Sequence, residues 1–452
     1  MKKNDVSKLE IIDNGMNFEG IAKNNNMVVF VPGAIIGETV LAKFIKVNKN
    51  YAIAKIEQMI TESRYRVKPF CDVFGKCGGC SSQHIEYDMQ LILKSKLVKN
   101  LFDKQKLKYP KIENTVGMGL PYYYRNKVQY PMRQDSKGNS KIGFYLKRSH
   151  NVIDNNCCYI QNRVIDILAK ELSEDLIKSG FKGYNEEDNS GDIRHLLIRR
   201  GYHTKEIMVV VIVNKEELVY DSKLIDILKN IVRKNECIKS VFINVNENNT
   251  NEILGDKLEH ILGDEYISDY IGDFKFFISP KSFFQVNTLQ AEVLYSVLKE
   301  SLSINKDEVI FDLYSGVGSI GIFLSKEAKK IYGIEIEKEA VKMANLNIIE
   351  NNVTNAEYIA GSVEDKIEEF KIRNIKPDII VVDPPRKGLD EKSIKYILAF
   401  NPKKIGYVSC NPATLSRDLK LLESKYEIKK VVPVDMFPFT EHVECVCILN
   451  LR

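Results

Sequence analysis

No run of about 18 uninterrupted apolar residues occurs anywhere in the chain, so nothing in it reads as a membrane-spanning helix. The opening stretch MKKNDVSKLEIIDNG lacks the apolar core of a secretory signal, which places the expected location in the cytoplasm, away from any membrane. Internal repeats and long disordered tracts are missing as well. Thiols stay reduced in the cytoplasm, so the nine cysteines point to metal binding or catalysis before disulfides.

The 452 residues suffice for two or three domains, each with its own core. With 44% hydrophobic and 28% charged residues, the composition is that of an ordinary globular protein. The net charge of +5 is unevenly spread. Residues 91 to 150 carry 11 Lys and 3 Arg against 3 acidic residues, so the remainder of the chain is net negative. A basic block is often only a solvated face. This one interleaves Tyr122, Tyr123, Tyr124 and Tyr130 with Arg125, Lys127 and Arg133. Cations neutralise phosphates and tyrosine rings stack on unpaired bases, so RNA is a reasonable partner.

Three segments are expected. Residues 1–60 hold short β-rich runs (MVVFVPG, ETVLAKFIKV, YAIAKIEQMI) with a turn at Pro32-Gly33, the pattern of a small barrel. Residues 61–270 mix strands with an amphipathic helix in DMQLILKSKLVKNLFDKQ, a central α+β domain. From 271 to 452 strands and helices alternate, as in a doubly wound, Rossmann-like α/β sheet that binds ligands at the carboxyl ends of its strands.

Within that last segment, Gly316-Val317-Gly318-Ser319-Ile320-Gly321 follows a strand directly, and Glu335 ends the next strand. Both a dinucleotide and S-adenosylmethionine suit such a loop, because each needs close backbone approach and a carboxylate for its ribose. The third strand favours the methyl donor. It ends in Asp383-Pro-Pro, a stiff acidic loop that base methyltransferases often carry, and Arg386 stands where exocyclic-amine methylation would want an aromatic ring.

A fourth strand ends at Ser409-Cys410-Asn411-Pro412 on the same edge. Buried cysteines are commonly structural, but a thiol at the ligand edge can be a nucleophile. Uracil offers an electron-poor carbon 6, and attack there turns carbon 5 into a carbon able to accept a methyl group. Removal of the carbon 5 proton then requires a base, for which Glu441, His442 and Glu444 are all candidates by spacing.

Four ordered motifs, Phe311-Asp-Leu-Tyr-Ser-Gly-Val-Gly, Asp383-Pro-Pro-Arg-Lys-Gly, Ser409-Cys-Asn-Pro-Ala-Thr and Asp435-Met-Phe-Pro with His442-Val-Glu444, resemble the RNA 5-methyluridine methyltransferase family. Within it the chain is most similar to bacterial 23S ribosomal RNA uracil-5-methyltransferases, nearly end to end. The resemblance implies Cys410 as nucleophile, Glu444 as base, and Gln285, Tyr314, Gly316, Gly318, Glu335 and Asp383 around S-adenosylmethionine. Relatives often read Leu-Phe-Cys-Gly where this chain has Tyr314-Ser315-Gly316. The amino-terminal segment is similar to the OB-like TRAM RNA-binding barrel.

Cys71, Cys77 and Cys80 form C-x5-C-x2-C, and a fourth thiolate could come from Cys157 or Cys158. Zinc and a [4Fe-4S] cluster are both conceivable, three clustered cysteines plus a remote one favouring the cluster. The family carries such a cluster in many TRAM-containing members, and matching its C-x-I-Q pattern implies Cys158. No C-x3-C-x2-C triplet of the radical type is present. Cys237, Cys445 and Cys447 lie in apolar runs and are expected in the core.

The expectation is a 23S ribosomal RNA (uracil-C5)-methyltransferase, with no obligate protein partner implied. The alternatives are the same chemistry on the T-loop uridine of transfer RNA, a noncatalytic iron-sulfur RNA-binding assembly factor, and a dehydrogenase.

Overall fold

A computed structural model describes residues 2–154 and 157–452. Strands β1 (Val6–Asn14), β2 (Gly20–Asn24), β3 (Met27–Val31), β4 (Thr39–Val47) and β5 (Tyr51–Thr61) close into a barrel in the order β1-β2-β3-β5-β4. Alternation makes it possible: Leu9, Ile11, Val29, Val31, Val40, Ala42, Phe44, Ala52 and Ala54 all point inward and are buried. Gly33, at φ 82°, supplies one of two left-handed residues in the β3–β4 connection, Gly37 at φ 86° the other.

Helix α1 (Tyr87–Lys104) follows. Its buried face is Met89, Gln90, Leu93, Lys94, Val98 and Phe102, so the stripe is partly polar and drifts from the Met89, Leu93, Leu97, Leu101 series that i, i+4 spacing suggests. Val98 and Phe102 join the core of the carboxyl-terminal sheet.

The central sheet contains β6 (Lys127–Gln134) and β7 (Ser140–Ile142); β8 (Phe144–Tyr145) and β9 (Val152–Ile153) make a separate two-stranded hairpin. After α2 (Arg163–Lys178) come β10 (Ile193–Arg200), β11 (Ile207–Val213), α3 (Ser222–Lys234), β12 (Ile238–Val245) and β13 (Lys257–Gly263), giving the order β13-β12-β11-β10-β6-β7. Strand β11, IMVVVIV, is buried at every position because both faces are covered. One face packs on α2 and α3; Leu197, Met208, Val210 and Ile212 on the other join the core of the carboxyl-terminal sheet. Cys237 is exposed, not in the core as its apolar neighbours suggest, because it lies in the turn ahead of β12; Cys445 and Cys447 are fully buried.

The hairpin β14 (Ile267–Ile271) and β15 (Phe274–Ile278) leads into α4 (Thr288–Leu302). Then β16 (Val309–Leu313), α5 (Ser319–Leu324), β17 (Lys330–Glu335), α6 (Lys338–Glu350), β18 (Ala356–Ala360), α7 (Val363–Ile372), β19 (Ile379–Val382), α8 (Glu391–Phe400), β20 (Lys404–Ser409), α9 (Pro412–Leu422), β21 (Tyr426–Val434) and β22 (Glu444–Leu451) build a seven-stranded sheet in the order β18-β17-β16-β19-β20-β22-β21. The first five are parallel, while β22 runs antiparallel between β20 and β21. No helix among the described residues is long and apolar enough to cross a membrane.

Candidate active site

The carboxyl ends of β16, β17, β19 and β20 open into one cleft of about 760 Å³. Its wall includes Gln285, Tyr314, Gly316, Glu335, Asp383, Cys410, His442 and Glu444, so most of the residues expected at the site meet there.

The glycine loop is shaped by conformation. Tyr314 takes φ 62° and Gly316 φ 54°, which turns the chain sharply off β16. The Tyr314 hydroxyl pairs with Ser393 Oγ at 2.8 Å, and Gly316 N–H donates to Glu335 Oε2 at 2.9 Å. Gly318, by contrast, does not line the cleft: it is the N-cap of α5 at φ 79°, and a Cβ there would come within 2.7 Å of the Tyr358 ring. Its role is close packing beneath the loop. Ser315, which spacing did not single out, is buried in the cleft wall with its hydroxyl unpartnered. An orphaned donor beside a ribose-type carboxylate fits a ligand with polar amino-acid and sugar parts, as S-adenosylmethionine has.

Asp312 was missed although it sits in Phe311-Asp-Leu-Tyr, two residues before Tyr314. It accepts from Gly321 N at 3.0 Å, and burial, with Asp383 and Glu335 adding repulsion, pushes it up to about 7. Asp383 also rises to about 7 by desolvation. Asn126, from the tyrosine-rich stretch, donates to the Gln285 carbonyl at 3.0 Å and so ties the central domain to the cleft.

Cys410 and Glu444 are brought together by strand register. Ser409 of β20 pairs with Cys445 of β22, so Cys410 and Glu444 occupy the next position at the mouth of the ladder. Asn411 caps α9, accepting from Ala413 N, and its amide donates to the Arg386 carbonyl at 2.9 Å, which fastens the thiol turn to the Asp383-Pro-Pro loop. Burial, then Glu444 and Asp383, push the Cys410 thiol up to about 11, and Arg386 opposes them. Glu444 is held well above the usual carboxylate range by burial, with Asp383 adding and Arg386 opposing. Of the other two base candidates, His442 lies on the cleft wall, whereas Glu441 does not: its carboxylate accepts from the Ser81 hydroxyl at 2.5 Å.

A second, much smaller cavity is lined by Cys71, Cys77, Cys80 and Cys158, with Gln83 and Tyr159. Cys157 is not on its wall. Burial pushes Cys80 and Cys158 up to about 12. Among the described residues, no three His, Cys, Asp or Glu side chains are gathered as holders of a metal ion. The donor set nevertheless fits an iron-sulfur centre in kind: four sulfurs face one cavity, and a bulky centre needs its ligands further apart than one ion does.

The stacking surface expected of the tyrosines is reduced. Tyr124 and Tyr130 are buried, the first donating to the Pro438 carbonyl at 3.0 Å and the second to Asp166. Tyr122 and Tyr123 remain half-buried, in an aromatic cluster with Phe70, Tyr159 and Phe439.

A parallel sheet with a reversed strand near one edge, a glycine turn after its first strand and acids at the next strand ends together define an S-adenosylmethionine-dependent methyltransferase. Comparison sharpens this. A family described as tRNA (Uracil-5-)-methyltransferase matches residues 218–452, and the TRAM domain matches residues 5–56. An uncharacterized RNA methyltransferase of Clostridium tetani is 44% identical, covering 100% of this chain and 97% of its own length; one from Listeria innocua is 41% identical over 100% and 99%. The crystal structure of the Pyrococcus abyssi tRNA (uracil-54, C5)-methyltransferase in complex with S-adenosyl-L-homocysteine superposes with a TM-score of 0.78 at 28% identity, covering 98% of this chain and 100% of that one. The chain belongs to the uracil-5 family of RNA methyltransferases, with an amino-terminal TRAM domain.

Proposed function

We propose that the protein methylates carbon 5 of a uridine in 23S ribosomal RNA through a covalent adduct between Cys410 and carbon 6. The observation that carries this reading is the meeting of Cys410, Glu444 and Asp383 in one cleft, the first two brought together by the antiparallel register of β20 and β22 and the third by the parallel pairing of β19 with β20.

Bound S-adenosylmethionine supplies an electrophilic methyl group. Glu335 and Ser315 are placed to bind its polar parts, with Tyr314 and Gln285 on the same wall. The Cys410 thiol gives its proton to solvent water, and its sulfur forms a bond to carbon 6 while the ring electrons move to carbon 5 and the carbonyl at carbon 4. Carbon 5 takes the methyl group as the bond from that methyl to the sulfonium sulfur breaks, leaving S-adenosylhomocysteine. Glu444 then accepts the carbon 5 proton, the sulfur–carbon 6 bond breaks, and the thiolate returns. The raised Glu444 carboxyl makes it a stronger base than an exposed glutamate once ionised.

Cys71, Cys77, Cys80 and Cys158 would hold a [4Fe-4S] cluster, serving to fix the central domain or shape the RNA-facing surface. The TRAM barrel together with these cysteines favours ribosomal RNA. The T-loop uridine of transfer RNA is the second reading, favoured by the near full-length superposition on the Pyrococcus abyssi enzyme. Incubation of the protein with methyl-labelled S-adenosylmethionine and separate unmodified 23S ribosomal and transfer RNA pools, followed by nucleoside analysis, decides between them. Labelled 5-methyluridine from the ribosomal pool is expected; label from transfer RNA alone would replace the substrate, and no 5-methyluridine in either would overturn the reaction.

A further inference from the structure

Between β21 and β22 the chain crosses residues 435–443 without a strand ladder, yet it must deliver Glu444 beside Cys410. Such a turn has to be fixed from outside, and four of its fastenings come from a segment more than 340 residues away in sequence. The backbone N–H groups of Ser81 and Ser82 both donate to the Phe439 carbonyl, at 3.0 and 3.1 Å. The Ser81 hydroxyl donates to Glu441 Oε2 at 2.5 Å. Gln90 Oε1 accepts from the Phe439 N–H at 3.2 Å and from the Ser82 hydroxyl at 2.9 Å, while the Gln90 amide is itself anchored on the Ile85 carbonyl at 2.8 Å. Ser82 and Gln90 are wholly buried.

Phe439 takes φ 65°, a left-handed conformation that a bulky residue adopts only when its surroundings impose it. The clamp imposes it by taking both the N–H and the C=O of that one residue. From there the geometry passes on: Thr440 Oγ1 accepts from the His442 N–H at 3.3 Å and donates to the Phe437 carbonyl at 2.8 Å, and Glu444 follows two residues later. Ser81 directly follows Cys80, so the segment bearing three of the clustered cysteines also grips the turn that carries the base.

We propose that Ser81, Ser82 and Gln90 are positioning residues for the proton-removing step, acting through Phe439 and Glu441 on the placement of Glu444. This rests on the reading of Glu444 as the base. A clamp with that role must affect the exit from the covalent adduct more than entry into it, whereas a merely structural clamp would lower stability and leave the partition between adduct and product alone.

The test uses the full-length protein, methyl-labelled S-adenosylmethionine and total RNA lacking 5-methyluridine, with the protein–RNA adduct quantified on denaturing gels. Ser81→Ala is expected to melt near the wild type and to bind S-adenosylhomocysteine equally well. It should lower kcat about tenfold with KM little changed, since small misplacements of catalytic groups carry costs of that size or larger. Its adduct fraction should rise toward that of Glu444→Gln, and Ser81→Thr, which keeps the hydroxyl, should restore the wild-type partition. Gln90→Glu, which keeps the acceptor for Phe439, is the second variant and should show the smaller rise. A folded Ser81→Ala with wild-type partition, while Glu444→Gln traps adduct, overturns this inference alone. Absence of adduct in Glu444→Gln overturns the base assignment and this inference with it.

Discussion

Burial pushes up the Cys410 thiol and, in the second cavity, those of Cys77, Cys80 and Cys158, yet the two places offer different surroundings. Cys410 opens on a cleft of about 760 Å³, next to carboxylates and to Arg386, whose charge draws its titration back toward neutrality. Cys71, Cys77, Cys80 and Cys158 share a much smaller pocket with one another, and Cys77 and Cys80 are raised further by neighbouring sulfurs, with Arg125 a weak influence on Cys80. A thiol poised for turnover needs a nearby cation and room for its target. Thiols crowded together become thiolates only when something they bind makes ionisation favourable, and metals do that. The contrast is the one expected between the proposed nucleophile and the proposed ligands, and cysteine spacing alone does not supply it.

The sharpest way to break it is Cys410→Ala. Methyl transfer should fall by on the order of a thousandfold or more, as loss of a nucleophile does in other covalent enzymes, with S-adenosylhomocysteine affinity nearly unchanged in a calorimetric titration. Activity within tenfold of the wild type would remove Cys410 from the nucleophile role. Next in size, Cys77→Ser should lose the brown absorbance and iron of anaerobically purified protein while Cys410 remains alkylatable; a colourless wild type holding zinc would replace iron with zinc. The titrations give a smaller, graded effect. Because the Cys410 thiol is raised to about 11, its thiolate is the minor form at neutral pH, so its rate of iodoacetamide modification should climb about tenfold per pH unit and level off only near 11. A plateau below pH 8 would contradict the assigned burial. Smallest of all, Arg386→Gln removes the opposing charge and should slow that modification at pH 8 by about two- to tenfold, the size of a charge effect near a protein surface. An unchanged rate would mean that Arg386 does not act on the thiol.

Features held in local motifs were legible in the sequence. The barrel shows in its alternation, the parallel sheet in its strand–helix rhythm, and the cleft in residues at or just beyond strand ends: Gly316, Glu335, Asp383 and Cys410. What escaped depends on partners distant along the chain. Lys94 lies on a seemingly apolar helix face, yet it is fully buried because Asp435, 341 residues away, receives its ammonium at 2.5 Å. Tyr124 and Tyr130 have the composition of an RNA surface, but their hydroxyls find Pro438 and Asp166 and they become core. Glu441 and Glu444 were indistinguishable by spacing. Their fates differ because one meets Ser81 on the far side of the turn and the other enters a strand whose pleat aims it at the cleft. Gly318 was read as a cofactor contact, but the bulk of Tyr358 behind it explains the glycine.

The placement of β22 also governs when the enzyme can exist. This strand lies between β20 and β21 although it is synthesised after both, so the two neighbours cannot complete their pairing until it arrives and is inserted. Chain emerges from the ribosome at roughly 5–20 residues per second, and long-range strand pairing is slow besides. Until that insertion the cleft has its glycine turn and its thiol but lacks Glu444. A nascent chain thus lacks the proposed base, and the cleft is complete only when the last-made strand of the sheet locks into the middle.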